Sequence, residues 1–345
     1  MRHNILLTDP YHPVVQETVS SLKSLGFVGH VFGASEEPGR LRPSALREVY
    51  HVPRPDAGDY ARQLLTAAAK AEARVVLPWS DSDARALALH AGLFREAGHV
   101  LVCLDPDNVL LCSDQWKTLQ ALGAASVPVP RSRLAHGARD VEACAADLGH
   151  PLRDLYVKLR VSAGGRGVWR ISRDAGLAHD EAIPALPLSA TRALLDHSIP
   201  ADGVVVQEAV AAGTDVTVDV FAEAGEVIGA TYRERWKRTA GVSAEGMIAP
   251  VPPDAGQVVR EVCRALQWDG LGNIQMMRRP EGATVVYEIN PRAAGSIGLT
   301  RHAGFDFLGG VLRHVLGLNG DATFTADPVV PTVFRRDWST QARCP

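Results

Sequence analysis

The stretch Tyr287-Glu288-Ile289-Asn290-Pro291-Arg292, preceded by Asn273-Ile274-Gln275, decides how this chain is read. Side chains alternate between the faces of a strand, so Glu288 and Asn290 share one face while Ile289 packs on the other. A carboxylate and an amide oxygen converging in this way suit a hard, oxygen-seeking ion such as Mg2+ or Mn2+, which would also bind the phosphates of ATP. Gln275, on a neighbouring strand, is a partner for the same ion. Arg292 extends a guanidinium past Pro291 towards developing phosphoryl charge. Packing alone accounts poorly for these residue types in this order.

Two weaker constellations lie upstream. Tyr156-Val157-Lys158 leads into Ser162-Ala163-Gly164-Gly165-Arg166-Gly167-Val168. Glycines set between two strands let the backbone approach a ligand closely and point N–H groups at phosphate, and Lys158 would place a cation there. By itself such a hairpin is also a plain turn. Gln207-Glu208-Ala209-Val210, followed by Gly213 and Asp215, reads as a strand running into a connection. Its backbone groups suit an adenine edge, and the later carboxylate suits ribose hydroxyls. Surface acids beside a strand would give the same letters.

The rest of the chain sets limits on function. Its 345 residues fit two or three domains, with 46% hydrophobic and 22% charged residues, as in an ordinary globular protein with a real core. The net charge of −3 favours neither nucleic acid nor an anionic membrane surface. The opening MRHNILLTDPYHP is too short and polar a run for a signal peptide. The five cysteines are scattered without CxxC spacing, so reduced thiols and a cytoplasmic location are expected. Strands are expected at Asn4 to Thr8, His30 to Phe32, Val75 to Pro78 and Val100 to Leu104. Helices are expected at Val14 to Leu25, Tyr60 to Ala73 and around Ala84 to Glu96. That alternation predicts an open, parallel α/β sheet. No GxGxxG follows the first strand, which disfavours a nicotinamide-dependent dehydrogenase. Further on, Val216, Val218 and Val220 alternate with Asp215, Thr217 and Asp219, which predicts a half-buried antiparallel strand. Helices are expected at Val258 to Leu266 and Leu308 to Val315, and a last strand at Val329 to Phe334.

Together, in this order and spacing, these pieces resemble the ATP-grasp superfamily, in the branch of carbamoyl-phosphate synthetase-type domains and carboxylate–amine ligases. The resemblance spans roughly residues 1 to 320 and implies an α/β and α+β fold of three parts. These are a pre-ATP-grasp α/β domain over 1–111, a lid subdomain over 112–190 and a C-terminal α+β subdomain over 191–345. It implies ATP and Mg2+ between the last two, with Lys158 on phosphate and Gly164, Gly165 and Gly167 in the lid loop. Gln207, Glu208 and Val210 would hold adenine and Asp215 the ribose. Glu288 and Asn290 would ligate the metal with Gln275 near them, and Arg292 would meet the γ-phosphate or acyl phosphate.

One departure stands out. Members of the superfamily carry Lys or Arg directly after the Asp that opens the helix before the lid, whereas here Asp114 is followed by Gln115. Lys117 is the expected substitute, although positions i and i+2 do not share a helix face. On the acceptor side, the basic run Arg233 to Arg238 resembles the segment beside the γ-phosphate and substrate carboxylate. Arg235 and Lys237, two apart on a strand, are expected to face the site together. Ala293 to Ser296, Arg301 and His302 are further candidates for holding the carboxylate. The implied activity is ATP-dependent joining of a small carboxylate, by default an amino acid or peptide, to an amine through an acyl phosphate. The alternatives are a bicarbonate-activating enzyme and an ATP-binding sensor without turnover. The expected partners are therefore small molecules and, by analogy with relatives, a second copy of the chain.

Overall fold

The structure is a computed structural model that describes residues 2–37, 40–162, 167–172, 183–190, 200–210, 213–239, 242–318 and 330–337. It begins with β1 (His3–Thr8), α1 (Val15–Ser24), β2 (Val28–Ser35), β3 (Val49–His51), α2 (Tyr60–Lys70) and β4 (Ala73–Leu77). These are followed by α3 (Asp81–Ala88), α4 (Ala91–Glu96) and β5 (Val100–Leu101). The strands form the expected parallel sheet, in the order β3-β2-β1-β4-β5. β1 and β4 carry the apolar runs Ile5–Leu7 and Val75–Leu77 because both faces are covered there. Leu6 and Val76 pack with α2, while Ile5, Leu7, Val75 and Leu77 face α1 and the C-terminal part of the chain.

The helix expected over Ala84 to Glu96 is two helices. His90, at φ −129°, leaves helical geometry between them. The start of α3 is pinned by Asp83, whose carboxylate accepts from Thr8 Oγ1 at 2.6 Å, Ser80 Oγ at 2.7 Å and Tyr60 Oη at 2.5 Å. A buried carboxylate with three donors is satisfied, and it ties β1, α2 and α3 into one rigid corner.

Next come α5 (Pro106–Cys112), α6 (Gln115–Ala124), β6 (Ser132–Ala135), α7 (Ala138–Leu148) and β7 (Leu155–Leu159). They lead into β8 (Val168–Ile171), β9 (Ala185–Leu186) and β10 (Val204–Glu208). The second sheet has the order β6-β10-β7-β8-β9. Its β10 lies beyond residue 190, the boundary expected from sequence, yet pairs with both β6 and β7.

The third sheet consists of β11 (Thr214–Glu223), β12 (Glu226–Thr239), β13 (Val242–Ala249), β14 (Gly270–Arg278), β15 (Thr284–Asn290) and β16 (Thr332–Arg335). Its order is β15-β14-β11-β12-β13-β16, and α8 (Pro253–Leu266) covers one face. The tail strand is thus Thr332–Arg335, and Val329 lies outside the described residues. The reading of β11 as half-buried is corrected here, because both of its faces are buried. Val216, Val218 and Val220 pack against α8, each contributing on the order of 1.5–3 kcal/mol. Thr217 and Asp219 on the other face are also buried. Alternation of apolar and polar residues predicts one wet face, but these two polar groups are enclosed and hydrogen-bonded within the sheet.

Candidate active site

The register of the third sheet places Glu288 opposite Gln275 and Asn290 opposite Asn273. Thr217 lies opposite Gln275 on the next strand, and Asp219 opposite Asn273. A polar ladder therefore runs across one face of the sheet. Asn290 Nδ2 donates to Asn273 Oδ1 at 3.4 Å. Asn273 Nδ2 donates to Thr217 Oγ1 at 2.8 Å and Asp219 Oδ1 at 3.1 Å. Asp219 also accepts from the Ala294 amide at 2.8 Å and pairs with Arg233, whose Nε donates to Ser296 Oγ at 3.0 Å. With its amide nitrogen turned into this ladder, Asn290 keeps an oxygen that no described residue bonds. Sequence reading quoted Asn273 and Arg233 within larger stretches and put Asp219 on the polar side of its strand, but gave none of the three a role of its own. Their burial on one face follows once β11, β12 and β14 are paired.

Glu288 makes no side-chain hydrogen bond or ion pair among the described residues. It shares a narrow cleft with Lys158, Gln115, Arg160 and Asn290. Lys158, from the second sheet, is buried and has no ion-pair partner within 4 Å among the described residues. Burial pushes its pKa down, and Glu288 pulls it partly back. A cation held dry in this way is an incomplete site, and an anion would complete it.

Gln207 lies opposite Tyr156, and Lys158 opposite Val205, so Tyr156, Lys158 and Gln207 line one face of the second sheet. Gln207 is buried, with Nε2 lacking a partner among the described residues. Glu208 points to the other face, where its carboxylate accepts from the Arg131 amide at 3.1 Å and meets Arg153 at 3.4 Å. Only its backbone is available to a ligand on the Lys158 face. Val210 is half-buried beyond the strand end. Gly167 has φ +70°, and a Cβ there would lie 2.4 Å from Leu159 Cδ1, so glycine is required on both counts. Gly164 and Gly165 lie outside the described residues.

The cation expected from Lys117 is not delivered by that residue, which is exposed and lines none of the clefts. Asp114 caps α6 through the Trp116 and Lys117 amides and holds Arg160 by two contacts, 2.5 and 3.2 Å. The guanidinium of Arg160, two residues after Lys158, thus occupies the wall that Gln115 leaves uncharged. Gln115 itself donates to the Tyr287 carbonyl at 2.8 Å.

Arg235 lies buried between Asp215 Oδ1 at 2.6 Å, Gln275 Oε1 at 3.1 Å and Tyr287 Oη. Asp215 and Gln275 are therefore both bonded within the protein. Lys237 does not join Arg235, because the β12–β13 register shifts on either side of Lys237. Such bulges re-aim side chains. Lys237 is turned out to solvent, and Arg238 lines the cleft with Arg235 instead. Arg301 and His302 are exposed and lie outside the cleft lining.

These parts surround a central cleft of about 720 Å3 where the three sheets meet. Arg292 reaches it from the end of β15 and pairs with Asp81 at 3.0 Å. His12, from the β1–α1 connection, lines the same cleft. Its pKa is lowered to about 4, first by burial and then by Arg292 and Arg336, which keeps the imidazole neutral at pH 7. Among the described residues no three His, Cys, Asp or Glu side chains cluster as a metal cage. The oxygen set is one carboxylate, Glu288, with the Asn290 amide oxygen beside it, while Gln275 Oε1 already accepts from Arg235 and Tyr287. That set fits Mg2+ held mainly by substrate phosphates and water, with few protein ligands.

The parallel N-terminal sheet, the small second sheet and the large antiparallel sheet closing on one cleft make this the ATP-grasp fold. Residues 202–338 match the family described as ATP-grasp in the biosynthetic pathway with Ter operon. An uncharacterized Sinorhizobium fredii protein, y4rH, is 32% identical over 201 residues, covering 56% of this chain. The chain spans only 38% of the length of that relative. The biotin carboxylase domain of Hydrogenobacter thermophilus 2-oxoglutarate carboxylase, solved with MgADP and bicarbonate, superposes with a TM-score of 0.68 at 14% identity. That match covers 94% of this chain and 71% of the other. An L-amino acid ligase from Bacillus licheniformis matches with a TM-score of 0.61 at 17% identity, over 91% of this chain and 74% of that one. No helix among the described residues is long and apolar enough to cross a membrane.

Proposed function

We propose that this protein is an ATP-dependent carboxylate–amine ligase. The observation that carries the reading is the narrow cleft itself. Lys158, which is buried, and Glu288, neither in an ion pair among the described residues, face one another across it, with Asn290 beside them and Arg292 at its mouth. Lys158 and Arg160 would bind phosphate, and Tyr156, Gln207 and the backbone near Glu208 and Val210 would border the nucleotide. Asp215, through Arg235, would act as a positioning group. Glu288 and Asn290, backed by Gln275, would hold Mg2+, which when bound neutralises phosphate charge. Arg292, Arg235 and Arg238 would stabilise charge at the transferring group.

The carboxylate oxygen attacks the γ-phosphorus of ATP, the bond to the bridging oxygen breaks, and ADP leaves with the electron pair. The amine nitrogen then attacks the acyl carbon of the resulting acyl phosphate. The C–O bond breaks, phosphate departs, and the nitrogen loses the protons that the amide does not keep. Shielding of the cleft from water protects the acyl phosphate from hydrolysis. The test is Mg2+-dependent release of ADP and phosphate against pools of carboxylates and amines. Release that requires one of each, with a product mass equal to their sum minus water, is the expected result. Tight ATP binding without turnover on any pool would overturn the reading in favour of a sensor.

The likeness to a bicarbonate-bound carboxylase domain favours a second reading, in which bicarbonate is the activated carboxylate. Incorporation of labelled bicarbonate into an acid-stable product would select it.

A further inference from the structure

A second cavity, of about 600 Å3, opens between α2, α3 and the end of β7, and it shares one residue with both the narrow and the central clefts. That residue is Asp81. Its Oδ2 is bonded to Arg292 at 3.0 Å, whereas its Oδ1 is buried with no hydrogen-bond partner among the described residues. A buried carboxylate oxygen left bare is costly, and it asks for a donor that none of the described residues supplies. One helical turn further along α3, Arg85 lines the same cavity and makes no ion pair among the described residues. Positions i and i+4 share a helix face, so the wall presents an anion and a cation side by side. Asp56, also on the rim, is engaged by Arg54 at 3.3 Å. The remaining wall is largely apolar. It includes Ala61 and Leu159, together with Leu89 and Val161, which are 64% and 38% exposed. Apolar side chains left in water on a pocket wall, beside a convergent charge pair, mark a small-molecule site.

We propose that this cavity is the acceptor site and that it takes an α-amino acid with an apolar side chain. Asp81 receives the ammonium, Arg85 receives the carboxylate, and the side chain lies against Leu89 and Val161. The assignment rests on the ligase reading for its chemical consequence. Asp81 bridges to Arg292, so an amine held there stands at the mouth of the cleft in which the acyl phosphate forms. The binding itself does not depend on turnover.

The experiment is calorimetric titration of the full chain, without ATP, with L-leucine, with leucinamide, which lacks the carboxylate, and with 4-methylpentanoate, which lacks the amine. Leucine should bind about tenfold or more tightly than either analogue, the scale of one charged hydrogen bond. Arg85→Ala should cut leucine affinity about tenfold and leave leucinamide unchanged, and Asp81→Asn should weaken leucine but not 4-methylpentanoate. Arg85 is exposed on α3, so its variant tests the site without threatening the fold. Equal binding of leucine and leucinamide, or an Arg85→Ala variant that binds like the parent, would overturn the proposal. Ligase turnover with an unchanged amine KM in Arg85→Ala would overturn it while leaving the ligase reading intact. Leucine binding that follows this pattern without turnover would sustain the site and sink the ligase.

Discussion

Arg233 and Asp219 form an ion pair with both side chains 0% exposed, on β12 and β11 of the sheet in which β14 separates them from the strand that carries Glu288 and Asn290. Asp219 is satisfied by Arg233, Asn273 and the Ala294 amide, while Arg233 donates to Asp219 and Ser296 and leaves Nη1 without a partner among the described residues. The pair is a support for the polar face proposed to hold the metal, transmitted through Asn273 to Asn290.

Breaking the pair from one side leaves a charge stranded in a dry sheet. Arg233→Met is therefore expected to cost about 3–5 kcal/mol in urea unfolding. Asp219→Asn, which keeps the acceptor for Asn273 but loses the charge, should fall in the same range. A loss under about 1 kcal/mol in both would show that the pair is not a support.

Glu288 has no structural partner among the described residues, so its replacement should spare the fold while removing function. Glu288→Gln is expected to lower Mg2+-dependent ADP release by about a hundredfold or more, with far-UV circular dichroism unchanged. Near-normal turnover would sink the metal assignment.

The bulge in β12 separates two neighbouring cations into different environments. Lys237→Ala should leave activity and stability within about 0.5 kcal/mol of the parent, as for exposed positions generally. Arg238→Ala should reduce turnover about tenfold or more, since Arg238 lines the central cleft. The reverse ranking, read from parallel kinetic assays, would mean that β12 runs without the bulge.

His12 makes stability depend on pH in a defined direction. Its pKa is about 4 in the fold against 6.5 for the free side chain, so the unfolded chain binds the extra proton between those values. Its contribution is present above pH 6.5 and is lost as pH falls towards 4. His12→Asn should flatten that part of the stability profile relative to the parent in urea titrations at stepped pH. Parallel profiles for the two proteins would show that His12 binds its proton equally well in the folded and unfolded chain, and so is not perturbed by the fold.

Much of the frame was legible from the letters. The parallel N-terminal sheet followed from apolar runs at Asn4 to Thr8 and Val75 to Pro78 separated by helical periodicity, because strand and helix repeats are local properties. The shared face of Glu288 and Asn290 followed from strand alternation alone. The break at His90 and the bulge at Lys237 were not legible, since each is a small departure from an otherwise regular pattern.

The sequence by itself therefore determined the element types, the parallel character of the first sheet and which side chains of Glu288-Ile289-Asn290 face together. Each of these depends on residues within a few positions. Tertiary structure alone decided that Asp219 is buried and paired, that Arg160 rather than Lys117 lines the narrow cleft beside Lys158, and that Arg238 lines the central cleft in place of Lys237. It also decided that Asp81 meets Arg292 across 211 residues of chain. Those outcomes turn on strand register and on how three sheets close on one cleft, and a charge finds its partner only once distant segments have been brought within hydrogen-bonding range.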